Sequence, residues 1–204
     1  MTGPALDDLL ARIIALPPGQ RHLVAVAGSP ASGKSTFAAR LVEGLQAADH
    51  AARVVPMDGF HLDNSVLGQR GLLARKGAPE SFDAAGFLRL TRVLREQVEV
   101  VYPLFDRTRD LAIAGAGVVP ADCRTVIVEG NYLLFDEDPW RDLYPLWSLA
   151  VFLNPPRDVV RARLLARWQA QGLDAQQAAQ RADSNDMVNA DRIAGARLFA
   201  DIIL

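Results

Sequence analysis

The chain has 204 residues, half of them hydrophobic and 23% charged, with a formal net charge of −2. That apolar content can bury a real core, which excludes disorder as the main state, and the near-neutral charge leaves no electrostatic footprint for nucleic acid. The lone Cys123 excludes an internal disulfide, no apolar run reaches the ~20 residues of a membrane span, and no basic-then-apolar leader opens the chain, so the expectation is a cytoplasmic protein, monomer or homodimer, with no nucleic-acid or membrane partner.

Residues 5–16 place apolar side chains at helical spacing and stop at Pro17-Pro18-Gly19, so residues 1–20 read as an N-terminal helix and connector of a single domain over 1–204. Residues 23–27 are a short apolar run, expected as a buried strand. It runs into Gly28-Ser29-Pro30-Ala31-Ser32-Gly33-Lys34-Ser35, followed by Thr36, which fits G-x-x-x-x-G-K-[ST]. Glycine lets backbone N–H groups curl around an anion, and the helix expected over 34–48 points its positive end at the same place. Lys34 would reach the β/γ-phosphates and the Ser35 hydroxyl would ligate Mg²⁺. Only two of the 22 basic residues are lysines, Lys34 and Lys76, and one of them stands where this loop calls for a point charge on a flexible stem.

A second strand over 53–57 leads into Met57-Asp58-Gly59-Phe60-His61. A phosphoryl acceptor needs a carboxylate to orient its hydroxyl and take the proton, and Asp58 is placed for that; a turn residue or a water-mediated Mg²⁺ ligand is the alternative. His61 reads equally as a substrate contact or a structural hydrogen-bonder. The run from Arg75 to Asp83 is either a functional loop or a solvated connector, with Ser81 or Asp83 capping the helix predicted over 84–97.

A third strand is expected over 98–104, and a short hairpin over 111–119 around Gly115-Ala116-Gly117. The fourth strand, 125–128, delivers Glu129 to the neighbourhood of the phosphate loop, the usual place for a Mg²⁺ or water-positioning acid. A fifth strand over 149–153 ends at Asn154-Pro155-Pro156. In the helix over 157–171, Val160, Leu164 and Trp168 form a packing stripe, while Arg163 and Arg167 share a flanking face. Those arginines suit a phosphoryl clamp on a mobile lid over about 156–183, or an ordinary solvated face. Two shorter helices and a last strand within 199–204 complete the chain. This alternation predicts an α/β fold of three layers, with a mostly parallel sheet covered by helices on both faces and ligands beyond the strands' carboxyl ends.

Neither lysine lies in a guanine-reading Asn-Lys-x-Asp, and there is no Leu-Ser-Gly-Gly-Gln stretch, which turns the reading from switches and transporters toward kinases. The phosphate loop, Asp58-Gly59-Phe60, Lys76-Gly77-x-Pro79-Glu80-x-Phe82-Asp83, Val126-Ile127-Val128-Glu129-Gly130 and Asn185-Asp186-Met187-x-Asn189 come in an order that resembles the phosphoribulokinase/uridine kinase/pantothenate kinase group of P-loop kinases, over about residues 22–200. The resemblance implies that Asp58 is the catalytic carboxylate, Glu129 the acid near Mg²⁺, and Arg163 and Arg167 the lid arginines. It places Asn185 and Asn189 near the nucleotide, with helix capping an equal alternative for Asn185, and Lys76 beside the acceptor.

The aromatic, His-containing acceptor loop of uridine kinases is missing, and pantothenate kinases are larger. The chain most resembles short bacterial kinases described as fructose-transport-system kinases or fructokinases. On that resemblance Arg107 and Arg109 face the acceptor, with ion pairs to Asp106 or Asp110 as the alternative. The expected reaction is transfer of the γ-phosphoryl group of MgATP to a hydroxyl of a small metabolite, a sugar such as fructose first. MgATP would lie on Gly28, Ser29, Ala31, Ser32, Gly33, Lys34, Ser35 and Thr36. The rivals are a kinase for a nucleoside, pantothenate or glycerate, and a nucleotide-bound switch or assembly ATPase without a small acceptor.

Overall fold

A computed structural model describes residues 4–96 and 98–204. In chain order the elements are α1 (Pro4–Ile14), β1 (His22–Gly28), α2 (Lys34–Ala47), β2 (Ala52–Pro56), α3 (Asn64–Gln69), α4 (Ala84–Leu94), β3 (Val100–Asp106), β4 (Leu111–Val119), β5 (Thr125–Gly130), β6 (Leu149–Leu153), α5 (Arg157–Ala170), α6 (Ala175–Arg181), α7 (Met187–Gly195) and β7 (Ile202–Ile203). Short 3₁₀ segments interrupt the loops, and a π-helical turn, Ala182–Asp186, joins α6 to α7.

Five strands make one parallel sheet in the order β2-β5-β1-β6-β7. β1, β5 and β6 are buried along their whole length, as strands covered on both faces must be. Alternation of side chains divides them between two cores. Leu23, Ala25, Val126, Val128 and Phe152 pack toward Phe87 of α4, Trp140 and Ile193 of α7. Val24, Val26, Ile127 and Val151 pack toward Leu9 and Ile13 of α1 and Phe37, Leu41 and Leu45 of α2. This is the expected three-layer α/β fold. Among the described residues no helix is long and apolar enough to cross a membrane.

The expectation for 98–119 needs correction. β3 does not join the central sheet; it pairs antiparallel with β4 in a separate two-stranded ribbon. Its burial explains why: Val100 and Tyr102 are buried while Val101 between them is exposed, the alternation of a one-sided strand. The hairpin turns earlier than expected, between Asp106 and Leu111, and not at Gly115-Ala116-Gly117, which lies within β4. The Asp106 carboxylate accepts from the backbone N–H groups of Thr108 and Arg109, a local bond that nucleates the turn, and Asp110 closes it at φ 57°. α4 ends at Leu94, earlier than expected, and Gln97 at the predicted end lies outside the described residues, as do residues 1–3 of the predicted N-terminal segment.

Candidate active site

The phosphate loop connects β1 to α2. Gly33 stands before the first turn of α2 at φ 100°, a conformation glycine adopts without the steric cost of a Cβ, and Ala31 is also left-handed at φ 59°. Successive N–H groups and the helix terminus therefore converge on one anion-binding concavity. Lys34 folds back into it: Nζ donates to the Ser29 carbonyl at 2.8 Å, with the Ser32 hydroxyl at 3.5 Å. Burial lowers the Lys34 pKa to about 8, although Glu129 and Asp58 pull it back up.

Parallel pairing of β5 with both β1 and β2 sets Glu129 opposite Val26 and Pro56, at the carboxyl end of the sheet. The Ser35 hydroxyl of α2 donates to Glu129 Oε1 at 3.0 Å. Burial raises the Glu129 pKa and Lys34 opposes that shift, so the two groups partly neutralise each other's cost. Asp58 lies on the 3₁₀ turn Met57–Phe60 that continues β2. Its Oδ2 accepts from Arg107 Nη2 at 2.6 Å, across the gap to the β3–β4 turn.

These groups share one cavity of about 550 Å³, whose walls include Lys34, Ser35, Thr36, Asp58 and Glu129 on the sheet side. His61, Lys76, Phe105 and Arg107 form a second wall. His61 Nδ1 contacts the Asp58 carbonyl at 2.8 Å, and its ring packs at a tilt against Phe82 and Phe105, with centroids 4.0 and 4.7 Å away; burial lowers its pKa. Lys76 pairs with Asp110 at 2.8 Å. Asp83 caps α4 by accepting from the Gly86 N–H.

The third wall comes from α5 and the helical segments after it. Val160 and Leu164 are buried as the packing stripe, and Trp168 packs beside them. Arg163 Nη1 donates to the carbonyls of Ala31 and Ser32 at 3.3 and 3.2 Å, so α5 touches the phosphate loop directly. Arg167 makes no hydrogen bond or ion pair among the described residues. Desolvation lowers its pKa, and Arg107 across the cavity adds to the effect. Phe37, Arg40, Leu153 and Arg163 line a second cavity of about 400 Å³ against the phosphate-loop residues Ala31, Ser32 and Gly33.

Six predicted positions do not line the main cavity: Gly28 and Ser29 line neither cavity, Ser32 lines only the second, and Arg109, Asn185 and Asn189 lie elsewhere. Arg109 is exposed and lies 3.6 Å from Asp106, the ion pair that was its alternative. Asn185 and Asn189 are buried against the segment at Arg75 and Lys76: Asn185 Nδ2 donates to the Lys76 carbonyl at 2.9 Å, and Asn189 Oδ1 accepts from Arg75 at 3.1 Å. Neither lines either cavity, and neither caps a helix. Their neighbour Asp186 does line the main cavity, where it accepts from Trp168 Nε1 at 2.7 Å; burial raises its pKa. Trp168, Asp186, Arg181 and Asn131 line the cavity without having been expected there from sequence. Asp186 stands between Asn185 and Met187 in the late motif and Trp168 beside Arg167, but only the packing of α5 on the π-turn brings them together.

The family model for the Phosphoribulokinase / Uridine kinase family matches residues 23–185. A solved structure named "putative fructose transport system kinase", from Silicibacter sp. TM1040, superposes with a TM-score of 0.94 at 50% identity, covering 99% of this chain and 100% of that one. "Putative uridine kinase C227.14" of Schizosaccharomyces pombe (strain 972 / ATCC 24843) is 33% identical over 195 residues, 91% of this chain and 83% of its own. A pantothenate kinase of Leifsonia xyli subsp. xyli (strain CTCB07) is 40% identical over 115 residues, 55% of this chain and 36% of its own.

Proposed function

We propose, from the premise that this chain belongs to the phosphoribulokinase/uridine kinase family of ATP-dependent small-molecule kinases, that it phosphorylates a hydroxyl of an uncharged polyol, fructose first. The observation that carries this reading is the shared cavity, in which Asp58 faces the phosphate-loop residues Lys34 and Ser35 and the acid Glu129. The acceptor hydroxyl oxygen attacks the γ-phosphorus, its proton passes to Asp58, and the bond to the β–γ bridging oxygen breaks so that ADP leaves with the electron pair. Lys34 and Arg167 neutralise charge on the transferring group, and Arg163 holds the phosphate loop and lid together.

The paired Ser35 hydroxyl and Glu129 carboxylate fit Mg²⁺, a hard cation that takes few protein oxygens and completes its shell with phosphate oxygens and water. When bound it supplies charge neutralisation at the β- and γ-phosphates.

An uncharged acceptor is favoured by where the acceptor-side cations already point. Lys76 has its donors on Asn64 and Asp110, and the charge of Arg107 is balanced by Asp58, so neither brings an unbalanced positive charge to a carboxylate or phosphate on the acceptor. That weighs toward a sugar or nucleoside and away from pantothenate or glycerate. The name of the Silicibacter relative supports the sugar, and that of the Schizosaccharomyces relative the nucleoside.

One ATP-consumption screen with Mg²⁺ tests this reading, over fructose, other sugars, uridine, nicotinamide riboside, pantothenate and glycerate, with Lys34→Ala as the blank. Stimulation by fructose is the expected result. Stimulation by pantothenate or glycerate alone overturns the uncharged acceptor, and ATP hydrolysis that no compound stimulates overturns the kinase assignment in favour of a switch.

A further inference from the structure

Lys76 lines the cavity, yet its ammonium group is fully committed elsewhere. An ammonium has three N–H donors. Here they meet Asn64 Oδ1 at 2.8 Å, the Asp110 carbonyl at 2.9 Å and Asp110 Oδ1 at 2.8 Å. The side chain is 11% exposed, and Nζ lies 5.2 Å over the Phe105 ring of β3. Asp110 is the left-handed residue that closes the β3–β4 turn, and the same turn carries Arg107, the partner of Asp58.

The backbone of this segment is held from the opposite side. The Lys76 carbonyl accepts from Asn185 Nδ2 at 2.9 Å and from Arg181 Nη2 at 3.2 Å. Arg75 donates to the Ser184 carbonyl at 3.3 Å and to Asn189 Oδ1. Ser184 and Asn185 belong to the π-helical turn, as does Asp186, which receives the Trp168 indole of α5. A single π turn between α-helices is a frequent mark of a functional joint. A continuous set of bonds thus runs from the arginine-bearing helix, through the π-turn and Lys76, to the β3–β4 turn and the Arg107–Asp58 pair.

We propose that Lys76 is a positioning residue: it is a strut that holds the β3–β4 turn, with Arg107, over Asp58 and ties that turn to the helices of the lid. The inference rests on the reading of Asp58 as the base. It separates Lys76 from a direct role on the acceptor, because an acceptor contact needs a free donor and a strut needs Asp110.

Hydrogen–deuterium exchange of the full chain, with no acceptor present, tests it. Asp110→Asn, which removes one charge-assisted bond, should speed exchange at Thr108, Arg109 and His61 roughly tenfold, and Lys76→Met, which removes all three bonds of the ammonium group, at least as much. Asparagine is chosen because it tolerates the left-handed backbone at 110. The double variant should exchange no faster than Lys76→Met alone, since the ion pair lost in Asp110→Asn is already lost with Lys76. Unchanged exchange in Asp110→Asn overturns the proposal, and that exposed substitution still reports if Lys76→Met fails to fold. Additive effects in the double variant overturn it as well. Asp58→Ala separates the two readings: retained turnover in that variant defeats the base assignment, while the exchange result stands or falls by itself.

Discussion

Arg107 Nη2 lies 2.6 Å from Asp58 Oδ2, joining the β3–β4 turn to the turn after β2 across 49 positions of sequence. One carboxylate oxygen is thereby fixed, and the other is left to meet a hydroxyl. The pair is partly exposed, so its contribution to stability is small. Its effect on orientation is what activity should read. Arg107→Gln is expected to lower kcat/KM for the acceptor about tenfold with the nucleotide KM unchanged, a loss of the size of one charge-assisted hydrogen bond. Steady-state kinetics at saturating ATP would measure it, and an unchanged kcat/KM would reduce the pair to a surface contact.

Lys34 gives a pH-dependent signature. Burial lowers its pKa to about 8 from 10.5, so above about 8 the folded protein has lost a proton that the unfolded chain keeps up to about 10.5. The unfolded state then binds more protons, and without nucleotide this group makes stability rise with pH across that window. Phosphates restore the charged form, so ATP binding in the alkaline part of the window should take up a proton. Calorimetry in two buffers of different ionisation enthalpy would detect the uptake, and Lys34→Met should abolish it. Equal heats in both buffers would contradict the assignment.

The two α5 arginines should separate kinetically. Arg163 holds the carbonyls of Ala31 and Ser32 and lines both cavities, so Arg163→Ala is expected mainly to raise the nucleotide KM. Arg167 feels the charges of Asp186 and Asp58 but makes no hydrogen bond or ion pair among the described residues, which leaves its donors open to a transferring phosphoryl group, and Arg167→Ala should lower kcat by about 10²–10³. If both variants change only KM, the clamp reading of Arg167 is wrong.

Gly59 sets the height of the Asp58 turn. A Cβ there would stand 2.2 Å from the Pro103 carbonyl oxygen and 2.7 Å from its carbon, and backbone atoms cannot swing aside as a side chain can. Gly59→Ala should destabilise the protein by about 1–3 kcal/mol, seen as a melting point several degrees lower. Because the strain falls beside Asp58, kcat should fall in the fraction that remains folded. An unchanged melting temperature would show that the turn relaxes.

The central sheet and the phosphate loop were legible in the sequence because each rests on local chemistry. The run 23–27 is apolar because β1 is buried on both faces, and Gly33, Lys34 and Ser35 are read by spacing alone. The β3–β4 ribbon was not fully legible. Gly115 and Gly117 imitate a turn, while the real one is made by Asp106, which accepts from the nearby N–H groups of Thr108 and Arg109, and by Asp110, whose partner Lys76 is brought up only by the fold. The late motif points Asn185 toward the nucleotide, but its amide faces the Lys76 carbonyl, a contact between residues 109 apart. Nor could spacing have joined Asp186 to Trp168, which meet only because a π turn bends the chain back over α5.

The carboxylate after β2 bears most directly on the proposed chemistry. Turnover of Asp58→Ala, measured with MgATP and the acceptor that the screen identifies, should fall by about 10²–10⁴, with nucleotide affinity kept because Lys34 and the phosphate loop are untouched. A kcat close to that of the unsubstituted protein would contradict it, and would move the proton acceptor to another group on the same cavity.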